Sequence, residues 1–247
     1  MTMEQVFKVL KDGLREVIKQ NNLTESQISI TSKALSPEEA IGITQRKDFP
    51  ILTGKEIMLQ ASFREGGGQA FTDSPAVFCG SLEEILGMDL INDIHARGLF
   101  IAALNAVMKY AGLIENTIHC KNKEPELCAQ KFVSYIRDNY EKPKIALIGF
   151  QPALLEHLSE VFELRVLDLN PDNIGKIKYG KVIEDGLKDF EEVVVKWADL
   201  IFCTGSTICN GSIVNFINLE KEVLFFGTTL AGAAQMLKLK RACFYSS

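Results

Sequence analysis

Lys144-Ile145-Ala146-Leu147-Ile148-Gly149 is a short apolar run that ends in glycine. Runs that are apolar on both faces and separated by helix-length segments are typical of buried parallel strands. Right-handed crossovers place the carboxyl ends of such strands along one edge of the sheet, where open α/β sheets bind ligands. Residues 143–247 are therefore predicted to form a Rossmann-like α/β domain with a crevice at that edge. Four further runs of this kind follow: Phe162–Leu169, Ala198–Cys203, Lys221–Phe226 and Arg241–Tyr245.

The preceding part of the chain shows a different succession, with an amphipathic helix, short strand-like runs and then two more helices. This succession predicts an α+β domain over residues 1–142, with the boundary at Pro143. Ser81, followed by acidic residues, is the N-cap of a further helix. The predicted helices are Met3–Gln20, Asn92–Tyr110 and Glu126–Tyr140, and the predicted strands are Gln27–Ile30, Ala40–Thr44 and Glu56–Phe63, with a glycine-rich turn over Arg64–Gln69.

The composition narrows the class of protein. With 47% hydrophobic residues among 247, the chain can bury a substantial core. A net charge of −5 argues against nucleic-acid binding, which needs a basic surface to neutralise phosphates. The first helix is charged throughout, unlike a signal peptide, and no apolar stretch approaches the ~20 residues that cross a bilayer. We therefore expect a cytoplasmic protein without a membrane partner, whose six cysteines are reduced and mostly buried.

The first predicted strand end reads Gly149-Phe150-Gln151-Pro152. Proline suits the first turn of a helix, and the glycine lets a ligand approach the backbone amides at the positive end of that helix. Asp168 closes the second strand about 20 residues further on, where Rossmann domains bind ribose hydroxyls with a carboxylate. The alternatives are an ordinary strand-to-helix turn and a solvated loop acid. The full GxGxxG fingerprint is absent from the sequence.

The loop Thr204-Gly205-Ser206-Thr207-Ile208-Cys209-Asn210-Gly211-Ser212 is rich in small polar residues. It follows a predicted strand, precedes the predicted helix Ile213–Ile217, and offers hydroxyl and backbone N–H groups to an anionic or carbonyl group. The alternative is ordinary capping, with Ser212 as the N-cap. Gly227 and Thr228, which follow the neighbouring strand, are predicted to form the facing wall of the crevice.

One face of the helix predicted over Asn92–Tyr110 carries small and polar residues at three- and four-residue spacing: His95, Gly98, Ala102 and Asn105. The small residues let a ligand or another backbone approach, and a buried asparagine needs hydrogen-bond partners. His95 is the candidate general base, because the unperturbed pKa of histidine lies near neutrality. The alternative is plain packing of this helix on a sheet. The turn Gly66–Gly68 is interpreted either as a mobile lid or as a hairpin.

Motifs for direct metal binding or for a catalytic triad are absent from the sequence. It contains no CxxC pair, no HExxH helix and no GxSxG turn. His119-Cys120 with Cys128 comes nearest to a set of metal ligands, but adjacent side chains diverge. A structural metal site is therefore not expected from the spacing.

Several of these segments together resemble the family described as putative heavy-metal chelation proteins. The resemblance covers nearly the whole chain. It implies an enolase N-terminal-like domain joined to a Rossmann-like domain with partial similarity to methyltransferases, with the site between the two. The implied roles are heavy-metal chelation, or condensation or hydrolysis of a pterin-, flavin- or siderophore-like molecule. The segments that carry it are Leu104-Asn105-Ala106, Ile148–Pro152, Ala198-Asp199, Thr204–Thr207, Asn210-Gly211 and, for the N-terminal domain, Gly67–Thr72.

Three functional hypotheses follow. In the first, an enzyme acts on a small heteroaromatic or nucleoside-like molecule at the interdomain cleft, with His95 and Asn105 as catalytic residues. In the second, a non-enzymatic protein binds a heavy metal or a metal chelate. The third is an interaction module without a ligand. The cofactor is expected to be a divalent metal or a nucleoside-type ligand, if there is one. The chain is also compatible with a homo-oligomer. The ligand-binding candidates are Gly149, Phe150, Gln151, Pro152, Asp168, Thr204, Gly205, Ser206, Thr207, Asn210, Gly227 and Thr228.

Overall fold

The computed structural model describes residues 1–24, 26–31, 35–53 and 56–247, which build two sheets and the helices around them. The strands of the first sheet are β1 (Gln27–Thr31), β2 (Ile57–Phe63), β3 (Gly66–Thr72) and β4 (Phe78–Ser81). They lie in the order β3-β2-β1-β4, and every pair is antiparallel.

Five helices surround this sheet or follow it: α1 (Met3–Gln20), α2 (Pro37–Ile41), α3 (Leu82–Gly87), α4 (Ile94–Tyr110) and α5 (Glu124–Asn139). The predicted helices are confirmed, and Ser81 caps α3. The strand predicted over Ala40–Thr44 is wrong. Ser36 and Glu39 form a capping box, each side chain accepting a hydrogen bond from the other's backbone N–H, and this starts α2.

The glycines of β3 are required by its close packing on α4. A Cβ atom on Gly66 or Gly68 would overlap the backbone of α4 at Ala102 and Ala106. Backbone atoms cannot move aside as the end of a side chain can, so only glycine fits. The stretch predicted as a glycine-rich turn is therefore mostly strand, within a β2–β3 hairpin that turns at Arg64 and Glu65.

The second sheet contains β5 (Ile145–Ile148), β6 (Leu164–Asp168), β7 (Ile177–Lys178), β8 (Lys181–Asp185), β9 (Leu200–Thr204), β10 (Glu222–Phe226) and β11 (Arg241–Ala242). The strand order is β11-β10-β9-β5-β6-β8-β7. All pairs are parallel except β7–β8. The prediction of the α/β class with a parallel sheet is confirmed. The order reverses between β5 and β9, which is the position where such sheets form a crevice.

The remaining elements are a 3-10 helix (Pro50–Thr53), α6 (Pro152–Ser159), a π-helical segment (Glu191–Trp197), α7 (Thr207–Asn210), α8 (Val214–Ile217) and α9 (Ala231–Leu237). The prediction missed the β7–β8 hairpin, because its strands carry exposed residues such as Ile177 and Val182 in place of a continuous apolar run. Within the described ranges, no helix has the length and apolar character that a membrane crossing requires.

The two halves of the chain share buried apolar contacts. Phe132 of α5 packs on the second sheet, with its ring centroid 4.8 Å from that of Phe202. A Cβ atom on Gly232 of α9 would lie 3.0 Å from Cγ of Leu104, so α4 and α9 approach each other closely. The division of the chain at residue 142 stays a prediction.

Candidate functional site

A cavity of about 220 Å³ opens at the carboxyl ends of β5, β6, β9 and β10. The end of each strand contributes to its wall, and residues that precede the second sheet build the opposite side. Since a water molecule takes up ~30 Å³, the cavity has room for a small organic molecule. Its walls are rich in aromatic rings, contributed by Phe49, Phe71, Phe132, Phe150, Phe190, Phe216 and Phe226.

The chain between α2 and β2 closes one side of this cavity with Phe49, Pro50 and Ile51. Arg46 anchors this segment to the second half of the chain. Its guanidinium group donates to both carboxylate oxygens of Glu126, and to the Tyr179 hydroxyl at 2.6 Å. It also forms an ion pair with Glu156. The segment is therefore fixed over the sheet edge by a mostly buried arginine.

Glu56 lies immediately before β2 and lines the cavity. The Glu56 side chain is partly accessible to solvent, yet the surrounding protein desolvates its carboxyl group. This desolvation, together with the negative charges of Asp168 and Asp73, raises the pKa of Glu56 to about 7. No residue in the described ranges donates a hydrogen bond to this carboxyl group. Sequence reasoning missed Glu56 as a site residue, because no motif flanks it.

Asp168 lies in the cavity wall as predicted from its position at the end of β6. Its carboxylate accepts hydrogen bonds from the backbone N–H of Phe150 at 3.0 Å, from the backbone N–H of Asn170 at 2.8 Å and from Nδ2 of Asn173 at 3.0 Å. Asp168 therefore joins the loops after β5 and β6, and part of its hydrogen-bonding capacity is used within the protein.

The turn after β5 is shaped by Gly149, which has a φ of +89°. A side chain there would be strained, and its Cβ would lie 2.8 Å from Cγ2 of Thr204. Pro152 begins α6 as predicted, but it does not line the cavity. Oε1 of Gln151 accepts a hydrogen bond from Leu154 N–H at 2.5 Å, so Gln151 caps α6. The backbone N–H groups of Phe150 and Leu154 therefore both donate to acceptors within the protein.

The loop after β9 also lines the cavity, and its polar groups bond mainly to one another. Oγ1 of Thr204 lies 3.1 Å from Oγ of Ser206, and Thr207 donates its hydroxyl to the Thr204 carbonyl at 2.8 Å. Asn210 accepts hydrogen bonds from both the N–H and the hydroxyl of Ser212. Ser212 does not cap α8, so the alternative of ordinary capping by Ser212 is wrong. The small polar residues therefore form the turn as well as the wall.

The loop after β10 joins the two halves of the chain. Gly227 and Thr229 line the cavity, whereas Thr228 is buried behind it, and its hydroxyl has no partner within the described part of the chain. Asn105 is also fully buried away from the cavity. Its Nδ2 donates to the carbonyls of Gln69 at 2.9 Å and Thr229 at 3.0 Å, and its Oδ1 accepts from Gly232 N–H at 2.8 Å. Asn105 thus clamps β3 to the second half of the chain.

The structure does not bring His95 to the cavity. It lies exposed near the start of α4, where Nδ1 is 3.2 Å from the Pro75 carbonyl. His119 lines the cavity in its place. Nδ1 of His119 lies 2.7 Å from the Cys120 carbonyl, which can only accept, so Nδ1 carries the proton and Nε2 is left as an acceptor. Burial lowers the pKa of His119, which keeps this imidazole neutral at physiological pH.

Three thiols lie along the same cavity, those of Cys120, Cys128 and Cys243. Burial raises the pKa of Cys128 to about 11 and that of Cys120 further, so both are protonated at neutral pH. The prediction that the cysteines are free of disulfides holds for all six. In the ranges that the structure describes, no three His, Cys, Asp or Glu side chains are placed to hold a metal ion.

Residues 132–239 match the model of a family described as "Putative heavy-metal chelation". The predicted family resemblance is thereby confirmed over that segment. No curated protein matches the chain.

Two solved structures of proteins of unknown function from the same family have a similar fold. One, from Pyrococcus horikoshii, is 17% identical with a TM-score of 0.51, and the similarity covers 91% of this chain and 79% of that one. The other, from Desulfitobacterium hafniense, is 12% identical with a TM-score of 0.52, covering 73% and 72%. At these identities, the likeness shows the fold alone.

Proposed function

We propose that this chain, which carries the domain of the heavy-metal chelation family over residues 132–239, binds a small organic molecule in the cavity and exchanges a proton with it through Glu56. The observation that carries the proposal is the Glu56 carboxyl group, which lines the cavity and has a pKa of about 7. A group whose pKa lies near the working pH is an effective proton donor and acceptor. Perturbed carboxyl groups in clefts are frequent at functional sites.

His119 supplies a complementary group in the same cavity. Its neutral imidazole presents Nε2 as an acceptor, and the Glu56 carboxyl group exchanges its proton near neutral pH. In this proposal the Glu56 carboxylate accepts the proton of the attacking nucleophile and then donates that proton to the leaving group. Nε2 of His119 accepts a hydrogen bond from the ligand and helps to orient it.

These roles fit the condensation or hydrolysis of a pterin-, flavin- or siderophore-like molecule that the family resemblance implies. Both reactions need a proton removed from a nucleophile and a proton delivered to a departing group. The phenylalanine-rich walls support the proposal, because flat rings stack on aromatic side chains. The site residues in this proposal are Glu56, His119, Asp168 and the strand-end loops, and Asn105 acts as a clamp behind them.

The finer architectural assignments belong to the same proposal. We assign residues 1–142 to an enolase N-terminal-like domain and residues 143–247 to a Rossmann-like domain with partial similarity to methyltransferases. The reversal of strand order between β5 and β9 supports the second assignment. We further propose a cytoplasmic location and a small-molecule partner.

A thermal-shift panel on metal-stripped protein tests the proposed function. The probes are pterin, riboflavin, catechol and adenosine, each with the wild type and with Glu56→Gln. A bound probe at 100 times its dissociation constant stabilises the folded state by about 2.7 kcal/mol, which raises Tm by several degrees. We expect at least one organic probe to shift the wild type. For that probe, binding to the wild type should change the number of bound protons near pH 7, and Glu56→Gln should abolish this change. A panel without any shift would contradict the proposal.

A bare heavy-metal ion fits the described residues poorly, because metal sites need three or more converging protein ligands and the described part of the chain offers no such group. A second candidate function is therefore the retention of a metal as part of an organic chelate. The observation in its favour is the row of thiols at Cys120, Cys128 and Cys243, since thiols are soft ligands. Equilibrium dialysis with cadmium, alone and with catechol, tests it. Retention that needs the chelator and is lost in Cys128→Ser would support this candidate.

A further inference from the structure

We infer that the ligand of this cavity is a protonated aromatic amine, amidine or amino-heterocycle, which presents hydrogen-bond donors to Glu56 and Asp168 and carries no phosphate. This inference rests on the proposed function and names the chemical class of the ligand for the same site.

The first step of the argument concerns charge. Glu56 and Asp168 both line the cavity, and Asp73 is close enough to influence the Glu56 carboxyl group. Within the described residues, the cavity wall contains no lysine and no arginine. Among the described lining residues, a phosphate or carboxylate ligand would therefore meet like charges and no cationic side chain. A cationic ligand would meet the opposite charge that it needs.

The second step concerns the backbone amides that bind anions in other proteins with this kind of sheet. The Phe150 N–H donates to Asp168, and the Leu154 N–H donates to Gln151. After β9, the Gly205 N–H donates to the Phe226 carbonyl at 2.8 Å. These amides at the strand ends are already paired within the protein. An anion would have to displace a carboxylate or a carbonyl to reach them, and breaking such a buried bond is unfavourable.

The third step concerns the groups that remain available. The Glu56 carboxylate accepts no hydrogen bond from any described residue, and Nε2 of His119 is an acceptor because Nδ1 carries the proton. Glu56 and His119 therefore contribute acceptors to the cavity, and a ligand that pairs with these two groups must supply donors. An amidine or 2-amino-heterocycle offers two parallel N–H groups, which match one carboxylate in a bidentate pair. The phenylalanine rings favour an aromatic body and attract a cation to their faces.

A matched series of probes tests the inference: benzamidine as the cation, benzamide as its neutral isostere, and benzoate and inorganic phosphate as anions. Affinities are measured by protein-observed NMR titration at pH 7 on the full chain. We expect the wild type to bind benzamidine at least 10-fold more tightly than benzamide, and both anions more weakly still. Glu56→Gln should reduce the preference to less than 3-fold. Glu220→Gln, an exposed carboxyl group outside the cavity, is the matched control and should retain it.

Calorimetry in buffers of different ionisation enthalpy gives a second readout. A bound cation favours the ionised carboxylate, so benzamidine should release a fraction of a proton per site at pH 7, because the pKa of the free Glu56 is raised to about 7. Benzamide should release none, and Glu56→Gln should abolish the release.

Tighter binding of benzoate or phosphate than of benzamidine would overturn the inference and leave the proposed function standing. If none of the probes binds, the inference also falls. The proposed function is judged separately: it falls if the thermal-shift panel shows no shift or if Glu56 titrates at the ordinary pKa of a glutamate.

Discussion

The two sides of the cavity differ in how their polar groups are used. The side formed by the loops after β5, β6 and β9 is rich in hydroxyl, amide and carboxylate groups, but most of them hydrogen-bond within the protein. The side formed before the second sheet contributes few polar groups. Two of its lining residues, Glu56 and His119, offer acceptors to which no described residue donates a hydrogen bond. Many polar residues in a loop therefore do not by themselves indicate a ligand-binding site, because hydrogen bonds among the same groups also stabilise the turn.

The first prediction concerns the packing that supports the glutamate side. Gly68→Ala should lower the free energy of unfolding by about 3 kcal/mol or more, because the new methyl group would overlap the backbone of α4. Urea denaturation measures the change. Gly87→Ala is the control: Gly87 has open space around it and should change stability by less than about 1 kcal/mol. Equal effects at the two positions would show that close β3–α4 packing does not govern this side.

The second prediction concerns the clamp between the two sides. Asn105→Ala removes buried bonds to the Gln69 and Thr229 carbonyls and leaves the Gly232 N–H unpaired. The expected loss of unfolding free energy is about 2–3 kcal/mol, since each unpaired buried group is costly. Asn139→Ala, on the exposed end of α5, should cost under about 0.5 kcal/mol in the same denaturation experiment.

The third prediction concerns the pH dependence of stability. Because the pKa of Glu56 is raised from 4.5 to about 7 in the folded state, folding disfavours its ionised form. Its contribution to stability is then lost as the pH rises from about 4.5 to about 7, and the loss persists above that range. Solvent in the cavity limits the loss to the order of 1 kcal/mol. Unfolding of the wild type and Glu56→Gln across pH 4–8 measures it, and parallel curves would show that the pKa is not raised.

The fourth and smallest prediction concerns the polar loop after β9. Ser206→Ala removes the contact between Ser206 and Thr204, and this should lower the unfolding free energy by about 0.5–1 kcal/mol. Benzamidine affinity should change by less than 3-fold, in contrast to the loss expected for Glu56→Gln. A 10-fold loss of affinity in Ser206→Ala would mean that the loop binds the ligand directly and would reverse the comparison between the two sides.

Much of the fold was predictable. The apolar runs at Lys144–Gly149 and Ala198–Cys203 are strands, and α1 has the predicted bounds, because helical and strand periodicities are local properties. The errors arose where local signals competed. Ala40–Thr44 has an apolar content that suits a strand, but the capping box at Ser36 starts a helix there. The glycines of β3 were predicted to form a turn, whereas they are needed because α4 packs closely on this strand.

The candidate site was predictable only in its position. Gly149, Asp168 and Thr204 lie at one cavity, because strand ends of a parallel sheet share an edge, and their role as ligand-binding residues stays a prediction. His95 was predicted to be the general base, because the pKa of histidine suits that role. The residue type does not show whether the side chain reaches the cavity, and that of His95 does not. His119 was considered only as a metal ligand. Its role as an acceptor depends on the bond of its Nδ1 to a backbone carbonyl, which sequence does not show.

The sequence by itself determined most of the strands and helices, among them β5, β9, α1 and α4, and the meeting of the strand ends at one edge of the sheet. Only the tertiary structure decided which polar groups at that edge remain free and which carboxyl group titrates near neutral pH. The physical reason is that hydrophobic periodicity and capping act between neighbours in the chain, whereas desolvation, charge repulsion and hydrogen-bond pairing act between groups close in space. Glu56 and Asp168 lie far apart in the chain, and their electrostatic coupling exists only once the two sheets have packed together.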